Sequence, residues 1–162
     1  MTKRLTRAAL LTALALIIFV LEAQLPPLVP IPGIKLGLAN IITLYALFRL
    51  GPRDTLAILL VRIFLGSVFA GAVSAMIFSL AGGLLCYLVI FLLRRLVTEK
   101  QIWVCGVFGA IFHNLGQTGA AIFIYGTPAV AFYLPVLLLS AVITGLFTGL
   151  AAQAAITRLK KD

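Results

Sequence analysis

Charge is scarce in this sequence. Only 10% of its 162 residues are Asp, Glu, Lys or Arg, where a soluble domain has about a quarter. The acids number four, Glu22, Asp54, Glu99 and Asp162, each isolated near the edge of an apolar stretch. No carboxylate pair is therefore available for acid–base chemistry or for holding magnesium. There is one histidine, His113, so neither a Ser-His-Asp set nor a histidine-based metal centre is in prospect. The two cysteines, Cys86 and Cys105, form no CxxC and read as buried, inert thiols. No GxxxxGK[ST] segment occurs, so the chain has no phosphate-cradling loop with which to hydrolyse ATP. These absences predict a protein that is not an enzyme and needs no metal or cofactor.

What is abundant is apolar. Hydrophobic residues make up 63% of the chain. Water would not tolerate that much apolar surface on so short a chain, whereas lipid accepts it all the way round a helix. The expectation is one integral membrane domain spanning residues 1–162, all-α, built as a bundle of six transmembrane helices. Each span needs roughly 20 apolar residues, within about 17–25. The six candidates are residues 5–21, 36–50, 55–70, 74–93, 102–125 and 132–156, the second and third being short. The first is too long for a signal peptide and runs into a proline-rich loop, so it reads as a retained helix. Breakers separate the segments: Pro26, Pro27, Pro30, Pro32 and Gly33 in the first gap, Gly51–Pro52 in the second, Gly126–Thr127–Pro128 in the last. Residues 54–93 form about twice the length of one span, and a break near Gly71 divides them.

Cytoplasmic loops collect lysine and arginine. With the N-terminus inside, Lys3, Arg4, Arg7, Arg49, Arg53, Arg94, Arg95, Lys100, Arg158, Lys160 and Lys161 all fall inside, leaving Lys35 outside and Arg62 within a helix. A merged third and fourth helix would put Arg94, Arg95 and Lys100 on the wrong side. The expected location is the cell membrane, multi-pass, with both termini cytoplasmic. The net charge of +9 is thus a topology signal. No basic run interleaved with aromatics suggests nucleic acid.

Few residues break the apolar pattern, and these are the functional candidates. Arg62 lies about 8 residues into the third segment, roughly 12 Å from its edge. An arginine there costs a few kcal/mol. It is either a snorkelling or structurally paired side chain, or a counter-charge for an anionic ligand with room beside it at Gly66. In the fifth segment, a helical projection puts Gly106, Gly109, Ala110, His113, Gly116, Gln117, Ala120 and Ile124 on one face, with Asn114 at its margin. Val104, Val107, Phe108, Ile111, Leu115 and Ile122 lie opposite, suited to lipid. The small and polar face is either interhelical hydrogen-bonding glue or the wall of a pocket shared with Arg62. The proline-rich loop delivers Lys35 to the start of the second helix, where free N–H groups attract anions, and Asn40 sits one turn further. The other reading is a plain loop with a snorkelling lysine. Ala9, Thr12 and Ala13 form a small face on the first helix, and Gly145 and Gly149 one on the sixth.

Four segments, 32–40 (PGIKLGLAN), 62–67 (RIFLGS), 78–83 (FSLAGG) and 113–117 (HNLGQ), together resemble the Gx transporter family, many of whose members carry the label heptaprenyl diphosphate synthase component I. That family is similar to the S components of energy-coupling factor (ECF) transporters, six-helix proteins that capture a small molecule from outside. The resemblance implies an S-component-like fold and a transmembrane T subunit with two ATPases as partner. It also implies a first outer loop that covers the ligand, and an AxxxA contact to the T subunit matched by Ala9 and Ala13. Substrate-binding residues on this reading are Lys35, Asn40, Arg62, His113, Asn114 and Gln117. Two other readings stay open. One is a non-catalytic membrane accessory of heptaprenyl diphosphate or quinone synthesis, since two aspartates cannot supply the DDxxD segments of a prenyl synthase. The other is a structural subunit with no ligand.

Overall fold

A computed structural model of the protein describes residues 2–26, 35–69, 71 and 73–159, without the side chains of Val73 and Ser74. Residues 27–34, which hold most of the proline-rich loop, lie outside the described residues, as do Lys160 and Lys161. Among the described residues there are six α-helices: α1 (Thr2–Ala23), α2 (Asn40–Arg49), α3 (Pro52–Phe69), α4 (Val73–Leu93), α5 (Ile102–Tyr125) and α6 (Leu134–Arg158). Short 3-10 turns at Glu99–Gln101 and Pro128–Tyr133 lead into α5 and α6. No strand occurs among the described residues.

Among the described residues, four stretches are long and apolar enough to cross a bilayer: Thr2–Ala23, Ala75–Leu93, Glu99–Tyr125 and Pro128–Arg158. Large apolar side chains along them point outward, as with Leu139, Ile143 and Phe147 of α6, which suits contact with lipid. The described residues hold the six expected helices, of which four meet the length and apolarity of a full span. α3 has 18 residues, but Arg53, Asp54 and Arg62 interrupt its apolar character. α2 has 10 residues, about 15 Å of helix, which is half of a hydrocarbon core of about 30 Å. It begins at Asn40 rather than Leu36 because Lys35–Gly37 is not helical and Gly37 takes φ +78°, a left-handed conformation that glycine adopts without a Cβ penalty. The division of residues 54–93 falls at Gly71, at φ +61°.

Polar contacts place one end of each of five helices together. Arg4 of α1 grips Asp54 of α3 in a fork, Nε to Oδ2 at 2.5 Å and Nη2 to Oδ1 at 2.9 Å. Arg49 donates to the Leu159 carbonyl just past α6 (2.8 Å), and Arg94 after α4 donates to the Leu47 carbonyl of α2 (3.0 Å). The start of α1 and the end of α6 therefore share one arginine-rich end.

α5 is the central helix, packed mainly on α4 and α6. Small residues allow this. A Cβ on Gly106 would strike the Gly145 carbonyl and come within 2.5 Å of the Gly149 Cα, and one on Gly116 would lie 2.7 Å from the Ala81 carbonyl oxygen. Gly145 and Gly149 thus serve an internal crossing with α5. Because both α4 and α6 cover α5, its buried arc is turned further toward Asn114, Thr118 and Ala121 than the projection gave, and Ile124 is exposed. One apolar core (Leu44, Leu47, Cys86, Ile90, Ile102, Cys105, Ala152, Ile156) fills the arginine-rich half. A smaller one (Phe78, Ala121, Val130, Leu137) fills the other. His113 and Gln117 lie between them on α5.

Candidate functional site

Between those cores, polar side chains from four elements meet. α3 delivers Arg62, α4 Ser79, α5 His113 and Gln117, and the segment before α2 delivers Lys35 and Gly37. Phe19 and Glu22 of α1 close the ring. The space they enclose is about 10 Å³, enough for roughly one water molecule.

Arg62 is 4% exposed, so it does not snorkel to the surface. Its Nε has no partner, and the guanidinium forms no ion pair among the described residues. A buried guanidinium without a bonded counter-ion is expensive. The room expected beside it at Gly66 is taken by the Phe19 ring, which lies against that glycine.

Gln117 is fully buried and links two elements. Its Oε1 accepts the Lys35 backbone N–H at 3.1 Å, and its Nε2 lies 2.8 Å from His113 Nε2. Because the amide oxygen is engaged by Lys35, the amide nitrogen is the donor to His113. That leaves His113 Nε2 as acceptor and puts a neutral ring's proton on Nδ1. Nδ1 is turned toward the Gly82 backbone of α4.

Lys35 lays its ammonium 3.6 Å from the centre of the Phe19 ring, a cation–π contact. Burial pushes its pKa down, opposed by the attraction of Glu22 and reinforced by the repulsion of Arg62. Asn40 is buried at the first turn of α2 beside Gly37, with neither amide atom hydrogen-bonded. It stands behind the cavity wall rather than on it.

Asn114 does not join the group. Its Nδ2 donates to the Leu137 carbonyl of α6 at 2.7 Å, so it fastens α5 to α6. The buried arc of α5 is wide enough to turn His113 and Asn114, though adjacent, to different neighbours. Ala9 and Ala13 are exposed on α1, and Thr12 is half-buried with its hydroxyl bonded to the Ala8 carbonyl.

Glu22 is the site residue that sequence reasoning missed. Instead of standing isolated at a membrane edge, it is 6% exposed, and its carboxylate accepts the Gly37 N–H at 2.6 Å and the Leu38 N–H at 2.9 Å. It thereby ties the segment entering α2 to the end of α1. A signal was available, since an acid inside an apolar segment is costly unless it has work to do. Ser79, whose hydroxyl is buried and unpartnered, lay within a segment that carried the family resemblance.

Fold and site together define a polytopic helical membrane protein with a polar cluster sealed between two apolar cores. The sequence matches the heptaprenyl diphosphate synthase component I family over residues 11–155, and the chain belongs to that family. No curated protein and no solved structure matches it.

Proposed function

We propose that this protein is the ligand-capturing membrane subunit of an importer, comparable to the S components of ECF transporters. The observation that carries the reading is the convergence of Arg62, Ser79, His113 and Gln117 on one cavity, with Arg62 Nε and Ser79 Oγ buried and unpartnered. Leaving such atoms unpaired costs about 1–3 kcal/mol each, more for the charge, and a small polar ligand would satisfy them. Arg62 and Lys35 against Glu22 leave the cluster net positive, which suits an anionic or mixed polar ligand. A cavity of about 10 Å³ admits such a ligand only when the Lys35–Leu38 segment swings away. That segment is held by hydrogen bonds to Glu22 and Gln117, which can break and re-form.

In this reading α2 and α3 complete a six-helix bundle, α2 as a half-length helix whose leading segment, with Lys35 and Gly37, lines the cavity. Irregular backbone at that depth is tolerable because it is enclosed by protein. Both termini are cytoplasmic, and Lys35, Asn40, Arg62, His113 and Gln117 bind or enclose the ligand. Energy comes from a T subunit with two ATPases, docked on the Ala9, Thr12 and Ala13 face. The test is purification in mild detergent followed by mass spectrometry of small molecules and subunits. Arg62→Met and His113→Ala are expected to lose the ligand and keep the subunits. Ala9→Leu with Ala13→Leu is expected to do the reverse. Unchanged ligand retention in both site variants would remove the pocket.

The family name favours a second reading, a non-catalytic accessory of heptaprenyl diphosphate synthesis. It predicts a soluble prenyl synthase and long apolar chains in the same purification, in place of ATPases.

A further inference from the structure

A far larger space than the one at the polar cluster lies elsewhere in the protein. A cleft of about 560 Å³ opens at the arginine-rich end, lined by Arg7, Leu10 and Leu11 of α1, Tyr45 and Arg49 of α2, Leu50 just past it, and Leu159 after α6. A second, of about 470 Å³, adjoins it and shares Arg7, Arg49 and Leu50. These sizes suit a ligand of drug or headgroup scale. The cleft exists because α2 is short and lies behind its neighbours. α1 and α6 each pack on α2 but not on each other, so the gap between them stays open to the side.

Its lining has two characters. Lys3, Arg4, Arg7 and Arg49 face Asp54 as the one acid. Arg4 takes that acid in its bidentate pair, so Lys3, Arg7 and Arg49 have no acidic partner among the described residues. Arg49 is held in place by its bond to the Leu159 carbonyl. Deeper in, Leu10, Leu11 and Tyr45 present apolar surface. Uncompensated guanidinium groups above an apolar trough match a phosphate ester carrying a hydrocarbon chain.

We propose that this cleft is a binding site for an anionic phospholipid, with its phosphate between Arg7 and Arg49 and a chain along Leu10, Leu11 and Tyr45. The lipid would act as a wedge that fixes α1 against α2 and α6. At 3.6 residues per turn, Arg7 and Leu11 share one face of α1, while Ala9 and Ala13 lie on the opposite one. The lipid site is therefore independent of the face proposed for a partner subunit.

The test is native mass spectrometry of the full chain in detergent, with phosphatidylglycerol and phosphatidylcholine of identical chains. Phosphatidylglycerol is expected to be retained in preference. Arg7→Ala, which breaks no hydrogen bond described within the protein, is expected to weaken that retention several-fold, and Arg7→Ala with Arg49→Ala on the order of tenfold. The same charge change at Arg95 and Lys100, basic residues outside the cleft, is expected to leave it unaltered. Inorganic phosphate at equal concentration is expected not to displace the lipid, since it lacks the chain. Equal retention of the two lipids, equal losses in the two double variants, or displacement by inorganic phosphate would each overturn the proposal.

Discussion

Replacing Glu22 by Gln tests whether one carboxylate holds the segment that covers the polar cluster. Each of its two hydrogen bonds to backbone N–H groups, at 2.6 and 2.9 Å, is charge-assisted. Bonds to charged groups contribute about 1.5–3 kcal/mol apiece. Glutamine keeps one oxygen, but turns an N–H₂ toward the other backbone N–H, so one bond is lost and two donors oppose each other. The expected loss is about 2–3 kcal/mol. For a chain of this size each kcal/mol moves the melting temperature by about 2–4 °C, which gives a fall of roughly 4–12 °C. Cys86 and Cys105 are buried and free, so a thiol-reactive dye reports unfolding in detergent. Asp54→Asn is the control for charge loss, because the Arg4–Asp54 pair is largely exposed on the arginine side and such pairs contribute about 0–1 kcal/mol. Glu22→Gln is also expected to speed tryptic cleavage after Lys35, since the segment is freed from α1. A melting temperature within a degree of wild type, with unchanged cleavage at Lys35, would refute the argument that Glu22 is the fastening.

Two further outcomes follow from the same packing. Arg62→Met removes a buried charge that makes no ion pair among the described residues but is attracted by Glu22. The relief of burial and the lost attraction oppose each other, so stability is expected to change by no more than about 1 kcal/mol while ligand retention is abolished, as read by thermal unfolding beside mass spectrometry. A fall of several kcal/mol would show that the guanidinium is a structural fastening. Gly106→Ala puts a Cβ against the Gly145 carbonyl and the Gly149 Cα, so α5 and α6 must part. A loss of about 1–3 kcal/mol is expected in the same unfolding assay, and Gly119→Ala, whose Cβ would meet nothing within 4 Å, is expected to cost nothing.

The sequence by itself determined the elements whose cause is local or compositional. Lipid exposure demands long apolar runs, so α1, α4, α5 and α6 were legible within a few residues, and α5 at both ends. The break at Gly71 was legible because 40 apolar residues exceed one crossing. The arginine-rich end was legible because lysine and arginine gather on one side of a membrane. Arg62, His113 and Gln117 stood out as polar groups in apolar surroundings, and the structure brings them to one cavity. Other features depended on where distant groups meet. Helical periodicity gives the direction of a side chain but not which neighbour stands there, so it could not separate Asn114, which bonds to α6, from His113. Nor could it foresee that Phe19 would fill the space at Gly66. The start of α2 was set by Glu22 drawing two backbone N–H groups 15 and 16 residues away, a long-range contact with no local signature. Composition fixed which segments leave water. Only the tertiary arrangement decided which buried polar groups meet at one cavity, because that depends on where helices distant in sequence pack.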